Sequence, residues 1–174
     1  RHAPDLRAYE AYLKALDQWS RPTLESVVRV REHLDRAIAL DPEFALAHAG
    51  LAKVCAEYYY HFERQQQWID RAIAATQKAS AHGHEAPEIQ CAEAWVLFVE
   101  GSYDKSADKI RTALGRAPDL DGGYYLLGRA LFSAGRYQEV VDIMEDALAH
   151  AGENYNTTIP IHNSLGALGK TDML

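Results

Sequence analysis

The chain has 174 residues, 48% hydrophobic and 25% charged, with a formal net charge of −7 at pH 7. That balance fits one folded unit, and the six prolines and eleven glycines, set among evenly spread apolar residues, exclude a long linker, a low-complexity tail and a disordered chain. Acidic and basic residues interleave, so on average phosphate backbone and anionic lipid are repelled; neither nucleic acid nor membrane is expected as a partner.

Cys55 and Cys91 are too few for a disulfide framework, and each sits in an apolar helical pattern. They read as reduced core residues in a cytoplasmic setting. No apolar run approaches the roughly 18 to 20 residues of a membrane helix, and the opening RHAPDLRAYE lacks the apolar core of a signal peptide. A start without Met and a stop at Leu174 within a helical pattern read as a piece of a longer chain.

In chain order, the apolar periodicity predicts helical hairpins over about 5–42, 43–84, 87–118 and 121–152, with a partial fifth unit over 155–174. In the first, AYEAYLKALDQW precedes a second helix ending in LDRAIALDP, which Pro42 stops because it has no N–H. The second contains EYYYHFERQQQ, where its turn is expected. The third passes from a helix between Pro87 and Glu100 through GSYDKSADKIRTALGRAP. The fourth is DGGYYLLGRALFSAGRYQEVVDIMEDALAHAG, in which Gly135 is expected to end the first helix with a left-handed cap. In the partial fifth, NTTIPIHNSLGALGK, Thr158 suits a cap, Pro160 a first turn and Gly169 a hairpin turn.

A small residue recurs in each closing helix: Ala37, Ala79, Ala113 and Ala147 are 42, 34 and 34 residues apart. The eight extra residues in the first interval fall to EYYYHFERQQQ, as a loop or helix extension. A period of about 34 and the series Tyr124, Leu127, Gly128, Leu131, Gly135, Tyr137 and Ala147 resemble the tetratricopeptide repeat family. Gly101, Tyr103, Ala113 and Pro118 repeat part of the series, as do Leu34, Ala37 and Pro42. Glu93 stands where the family usually has a large apolar residue, which leaves the register between Pro87 and Glu100 open to about a residue. The resemblance covers roughly residues 7 to 170. It implies an all-α superhelical solenoid of about four hairpins plus one helix, whose first helices line a concave groove that binds segments of partner proteins. The first unit looks like the opening repeats of multidomain bacterial signalling proteins, where such arrays follow cyclase, kinase or DNA-binding domains.

On those first helices a second stripe runs beside the core stripe. It comprises Ala49, Lys53 and Ala56, then Cys91, Trp95 and Phe98, then Tyr125, Arg129 and Phe132. The expected groove residues are therefore Lys53, Trp95, Phe98, Tyr125, Arg129 and Phe132, with Asn163 adding a polar contact from the fifth unit. Such a wall suits a protein or peptide partner, or an adjacent domain of the same chain. The lysine and asparagine pair with which some family members hold a C-terminal carboxylate is missing from the stripe. Two other readings stand beside partner binding: self-association through an edge of Ile159, Ile161, Leu165 and Leu168, and a sensor for a peptide or small ligand.

Catalysis is not expected. There is no GxSxG elbow and no glycine-rich phosphate loop, and both cysteines lie on apolar stripes. His82, His84 and Glu85, and more weakly His61 and Glu63, read as solvated loop residues and not as metal ligands. No metal and no cofactor are expected. The Asn156-Thr157-Thr158 sequon matters only in a secreted protein.

Overall fold

The computed structural model describes residues 3–19, 23–83, 85–152 and 155–169, which form helices and turns with no strand among them. The helices are α1 (Leu6–Asp17), α2 (Leu24–Leu40), α3 (Ala45–His61), α4 (Gln66–Gly83), α5 (Pro87–Val99), α6 (Tyr103–Arg116), α7 (Gly123–Ser133), α8 (Tyr137–Asp142), α9 (Met144–Ala151) and α10 (Tyr155–Ala167). α3 packs on α4 and α5, α5 on α6 and α7, and α7 on α10. First helices thus form one row and second helices the other, while α1 joins through α2 and through Tyr12, whose ring meets Phe44 edge-on at 5.2 Å.

Local chemistry sets the helix ends. The Asp5 carboxylate accepts from the N–H groups of Arg7 and Ala8, and Thr23 and Ser26 form a reciprocal capping box, so free amides at the starts of α1 and α2 are satisfied. Pro87 opens α5, where no N–H is needed. Gly101 and Gly135 adopt φ of +83° and +76°. The next amides, of Ser102 and Arg136, return to the carbonyls of Leu97 and Leu131 at 2.8 and 2.9 Å, a closure that turns each hairpin sharply.

The repeated alanines mark equivalent depths: Ala37, Ala79 and Ala113 are fully buried and Ala147 is 2% exposed. The extra residues of the second unit lengthen both of its arms. α3 and α4 have 17 and 18 residues against 13 and 14 in α5 and α6, an excess of four in each. Four residues are close to one turn of about 3.6, so each arm grows without rotating its apolar face off the core. Glu93, the exception in the apolar pattern, accepts from Ser80 Oγ at 2.6 Å and pairs with Lys109 Nζ at 2.8 Å, bridging α4, α5 and α6.

Three features depart from the expected course. The second helix of the fourth hairpin breaks at Ile143 into α8 and α9. α10 begins at Tyr155, so Thr158 lies within the helix and not at its N-cap position, and Pro160 lies inside the helix instead of in its first turn. Leu165 is 3% exposed and turned inward, so it does not belong to an apolar C-terminal edge; Ile159 and Leu168 are half-buried, and the Ile161 side chain lies outside the described residues. Residues 170–174 of the fifth unit also lie outside them.

Gly128 is where α10 approaches α7. A Cβ at this position would fall 2.5 Å from Pro160 Cβ and 3.0 Å from its Cγ, and the rigid ring cannot swing aside. Gly128→Ala is expected to push α10 off α7 at a cost of about 1–3 kcal/mol, read as a lower urea midpoint. An unchanged midpoint would mean that the two helices do not meet there.

Candidate partner-binding groove

Lys53 projects from the middle of α3 with its side chain 15% exposed. Its ammonium lies 3.3 Å from the Asp121 carboxylate and 3.4 Å from the Asp121 carbonyl oxygen, and 4.7 Å from the centroid of the Trp19 ring. One side chain of the second hairpin thereby ties the end of α1 to the turn between α6 and α7. Gly122 permits this approach: at φ +70° its Cβ would lie 3.3 Å from Lys53 Nζ. Glu57, one turn along α3, is 8% exposed and hydrogen-bonded to the Trp19 side chain.

Burial pushes the Glu57 carboxyl up to about 7, against the opposing pull of the Lys53 ammonium. For Lys53, burial acts against the charge, but the Glu57 and Asp121 carboxylates outweigh it and raise the ammonium's pKa above its ordinary value. Burial also pushes the Cys91 thiol up to about 11, that of Cys55 up to about 12 and the Tyr12 phenol up to about 12. Neither thiol is a thiolate at neutral pH, and neither is an activated nucleophile.

Above Lys53 opens a cleft of about 370 Å³ between α1, α3, α5 and the α6–α7 turn. Tyr12, Leu16, Trp19, Leu46, Cys91 and Leu120 supply most of its apolar surface, and Asp17, Glu88 and Asp121 its carboxylates. Three of the four contributing elements are a first helix or its end, so the cleft lies on the face made by the first helices.

Farther along the same row, Tyr60, Trp95, Phe98, Tyr125, Arg129 and Phe132 form an aromatic cluster. Arg129 Nη2 donates to the Tyr60 hydroxyl, and the guanidinium sits 5.3 Å from the Tyr60 ring centroid and 5.9 Å from that of Phe132. Trp95 lies 6.3 Å from both the Tyr60 and Tyr125 rings and 5.7 Å from Phe98. Trp95 is fully buried and Phe98 is 3% exposed, so these two lie behind the wall that the stripe assigned to them and are core residues. α5 is covered on both sides by α3 and α7, which leaves a large ring on this stripe no path to solvent. Tyr125, Arg129 and Phe132 are half-buried, and Asn163 is exposed on α10.

Trp19, Glu57, Tyr60 and Asp121 were not legible as site residues. Tyr60 falls in the segment read as the inserted turn, and Trp19 and Asp121 fall in connections. The contact between Lys53 and Asp121 spans 68 residues, a separation that periodicity does not report. His84 lies outside the described residues, and among those described no group of three His, Cys, Asp or Glu is placed to hold a metal ion. Among the described residues no helix is long and apolar enough to cross a membrane.

No family model matches the chain, and no curated protein matches it. Solved structures do. The chain is similar to TTC0263, a thermophilic tetratricopeptide repeat protein of Thermus thermophilus, at 18% identity and a TM-score of 0.71, covering 92% of this chain and 82% of that one. A mutant of MamA follows at 15% identity and a TM-score of 0.57, covering 97% and 92%. A tetratricopeptide repeat protein from Parabacteroides merdae ATCC 43184 is similar at 16% identity and a TM-score of 0.54, covering 97% of this chain and 64% of that one. At such identities the likeness defines the fold: the chain is an α–α superhelix of tetratricopeptide type.

Proposed function

We propose that the chain is a protein-interaction scaffold that holds a segment of a partner, or of a neighbouring domain, against its concave face. The observation that carries this reading is the cleft of about 370 Å³ on the row of first helices, apolar over most of its lining, with the paired Lys53 and Asp121 among the residues that line it. Its size is within the roughly 300–1,000 Å³ of ligand pockets, and its lining is held by contacts between residues far apart in sequence, so the surface is formed before anything binds. The half-buried Tyr125, Arg129 and Phe132 extend the same face toward α10, residue types that often carry interface energy. Buried, protonated thiols support binding over nucleophilic catalysis. An assembly chaperone of RpL4, whose fold is similar at 14% identity and a TM-score of 0.52, is a protein of this fold that engages another protein.

Display selection of random peptides on the immobilised chain tests the reading. Enriched peptides are expected to bind the wild type and to lose about tenfold or more in affinity to a Leu16→Ser, Leu46→Ser variant that keeps its helicity. Enriched peptides indifferent to these substitutions, or no enrichment at all, would remove the concave face as the working surface.

A further inference from the structure

The cleft over Lys53 has a charge imbalance in its lining. Asp17 at the end of α1 and Glu88 in the first turn of α5 are exposed, as is Asp121 in the α6–α7 turn. Among the described residues Lys53 is the one cation that lines the cleft with them, and its ammonium is already held at 3.3 Å by Asp121, with buried Glu57 one turn away. Among the described residues, Asp17 and Glu88 therefore face the opening with no cation of the cleft left to answer them. Between the carboxylates the lining is apolar, through Leu16, Leu46 and Leu120. Leu16 forms its apolar lip and belongs to a stripe of α1 in which Leu6, Tyr9, Leu13 and Leu16 recur at i, i+3, i+7 and i+10 and are 71%, 41%, 45% and 49% exposed.

We propose that this cleft takes a cationic amphipathic segment of a partner protein, with its apolar side laid on Leu16, Leu46 and Leu120 and a lysine or arginine directed at Asp17 and Glu88. The assignment rests on the concave face being the working surface. An acidic segment would add negative charge beside three lining carboxylates, and a purely apolar one would cover Asp17 and Glu88 without pairing them, which costs desolvation with nothing in return. A cation answers both groups, and the apolar lip supplies the non-directional part of the affinity.

Three fluorescent amphipathic helical peptides test this, sharing one leucine-rich face and carrying lysine, glutamine or glutamate on the other. Anisotropy is read on the wild type, on an Asp17→Asn, Glu88→Gln variant and on the Leu16→Ser, Leu46→Ser variant, at low and at high salt. Both substituted carboxylates are exposed, so helicity should be kept. The lysine peptide is expected to bind about tenfold or more tightly than the glutamine peptide, and to lose that margin in the carboxylate variant and at high salt. If the glutamine or glutamate peptide binds as well and still depends on Leu16 and Leu46, the cationic assignment falls and the groove reading stands. If no peptide's affinity responds to the leucine substitutions, both fall. A dimer seen by light scattering that dissociates on Leu16→Ser, Leu46→Ser would make a second copy the occupant and overturn the assignment.

Discussion

Trp95→Ala is expected to lower the free energy of unfolding by about 3–5 kcal/mol, the range for removing a fully buried aromatic side chain. The indole is 0% exposed on α5, between α3 and α7, and meets the rings of Tyr60, Phe98 and Tyr125 at 5.7 to 6.3 Å. Deletion removes apolar burial and leaves a cavity whose walls are three other rings, each fixed by its own helix and unable to collapse inward together. In a stacked array each hairpin is stabilised by its neighbours, so a defect in the middle unit weakens both interfaces at once. Urea unfolding followed by circular dichroism reads the effect, and a loss below about 1 kcal/mol would place the indole at the surface. Trp95→Phe separates volume from polarity. Trp95 Nε1 is buried with no hydrogen-bond partner among the described residues, so removing it strands nothing, and the phenylalanine variant is expected to lose much less than the alanine one.

The second large effect is a pH dependence centred on Glu57. Its carboxyl titrates near 7 in the folded chain, because burial penalises the charged form more than the Lys53 ammonium and the Trp19 hydrogen bond favour it, and Asp121 adds repulsion. In the unfolded chain the group returns to its ordinary value near 4.5. Between those values the folded state binds the extra proton, so the contribution is fully present below about 4.5 and is lost as pH rises through about 7. The difference corresponds to about 3 kcal/mol. His61 works in the opposite sense, since partial burial lowers its pKa and its contribution grows as pH rises past the imidazole range. The measurement is therefore a comparison: from pH 5 to pH 8 the wild type should lose more stability than Glu57→Gln, whose side chain carries no titrating proton. Parallel curves for the two proteins would show that Glu57 is solvated and titrates normally.

The repeat was legible because it rests on local rules. Ala37, Ala79, Ala113 and Ala147 recur where helices must approach closely, and all four are buried. Gly101 and Gly135 stand where a chain must turn through positive φ, and both do. Pro42 could be assigned as a helix stop from its missing N–H alone. The site was legible only in part. Lys53 stood out as a cation on an inner stripe, yet the stripe that named it also named Trp95 and Phe98, which neighbouring helices cover completely or nearly so.

Helical spacing says which residues of one helix share a face, and so the all-α architecture, the hairpin period and the row of first helices follow from the order of the residues. It does not say what lies opposite that face. Whether a stripe meets solvent depends on the angle and distance at which the next hairpin packs, and that is set by contacts across tens of residues: Lys53 to Asp121, Arg129 to Tyr60, Gly128 to Pro160. The tertiary structure alone decided that Trp95 is core, that Lys53 is neutralised by a turn 68 residues away, and that the open cleft lies between α1, α3 and α5.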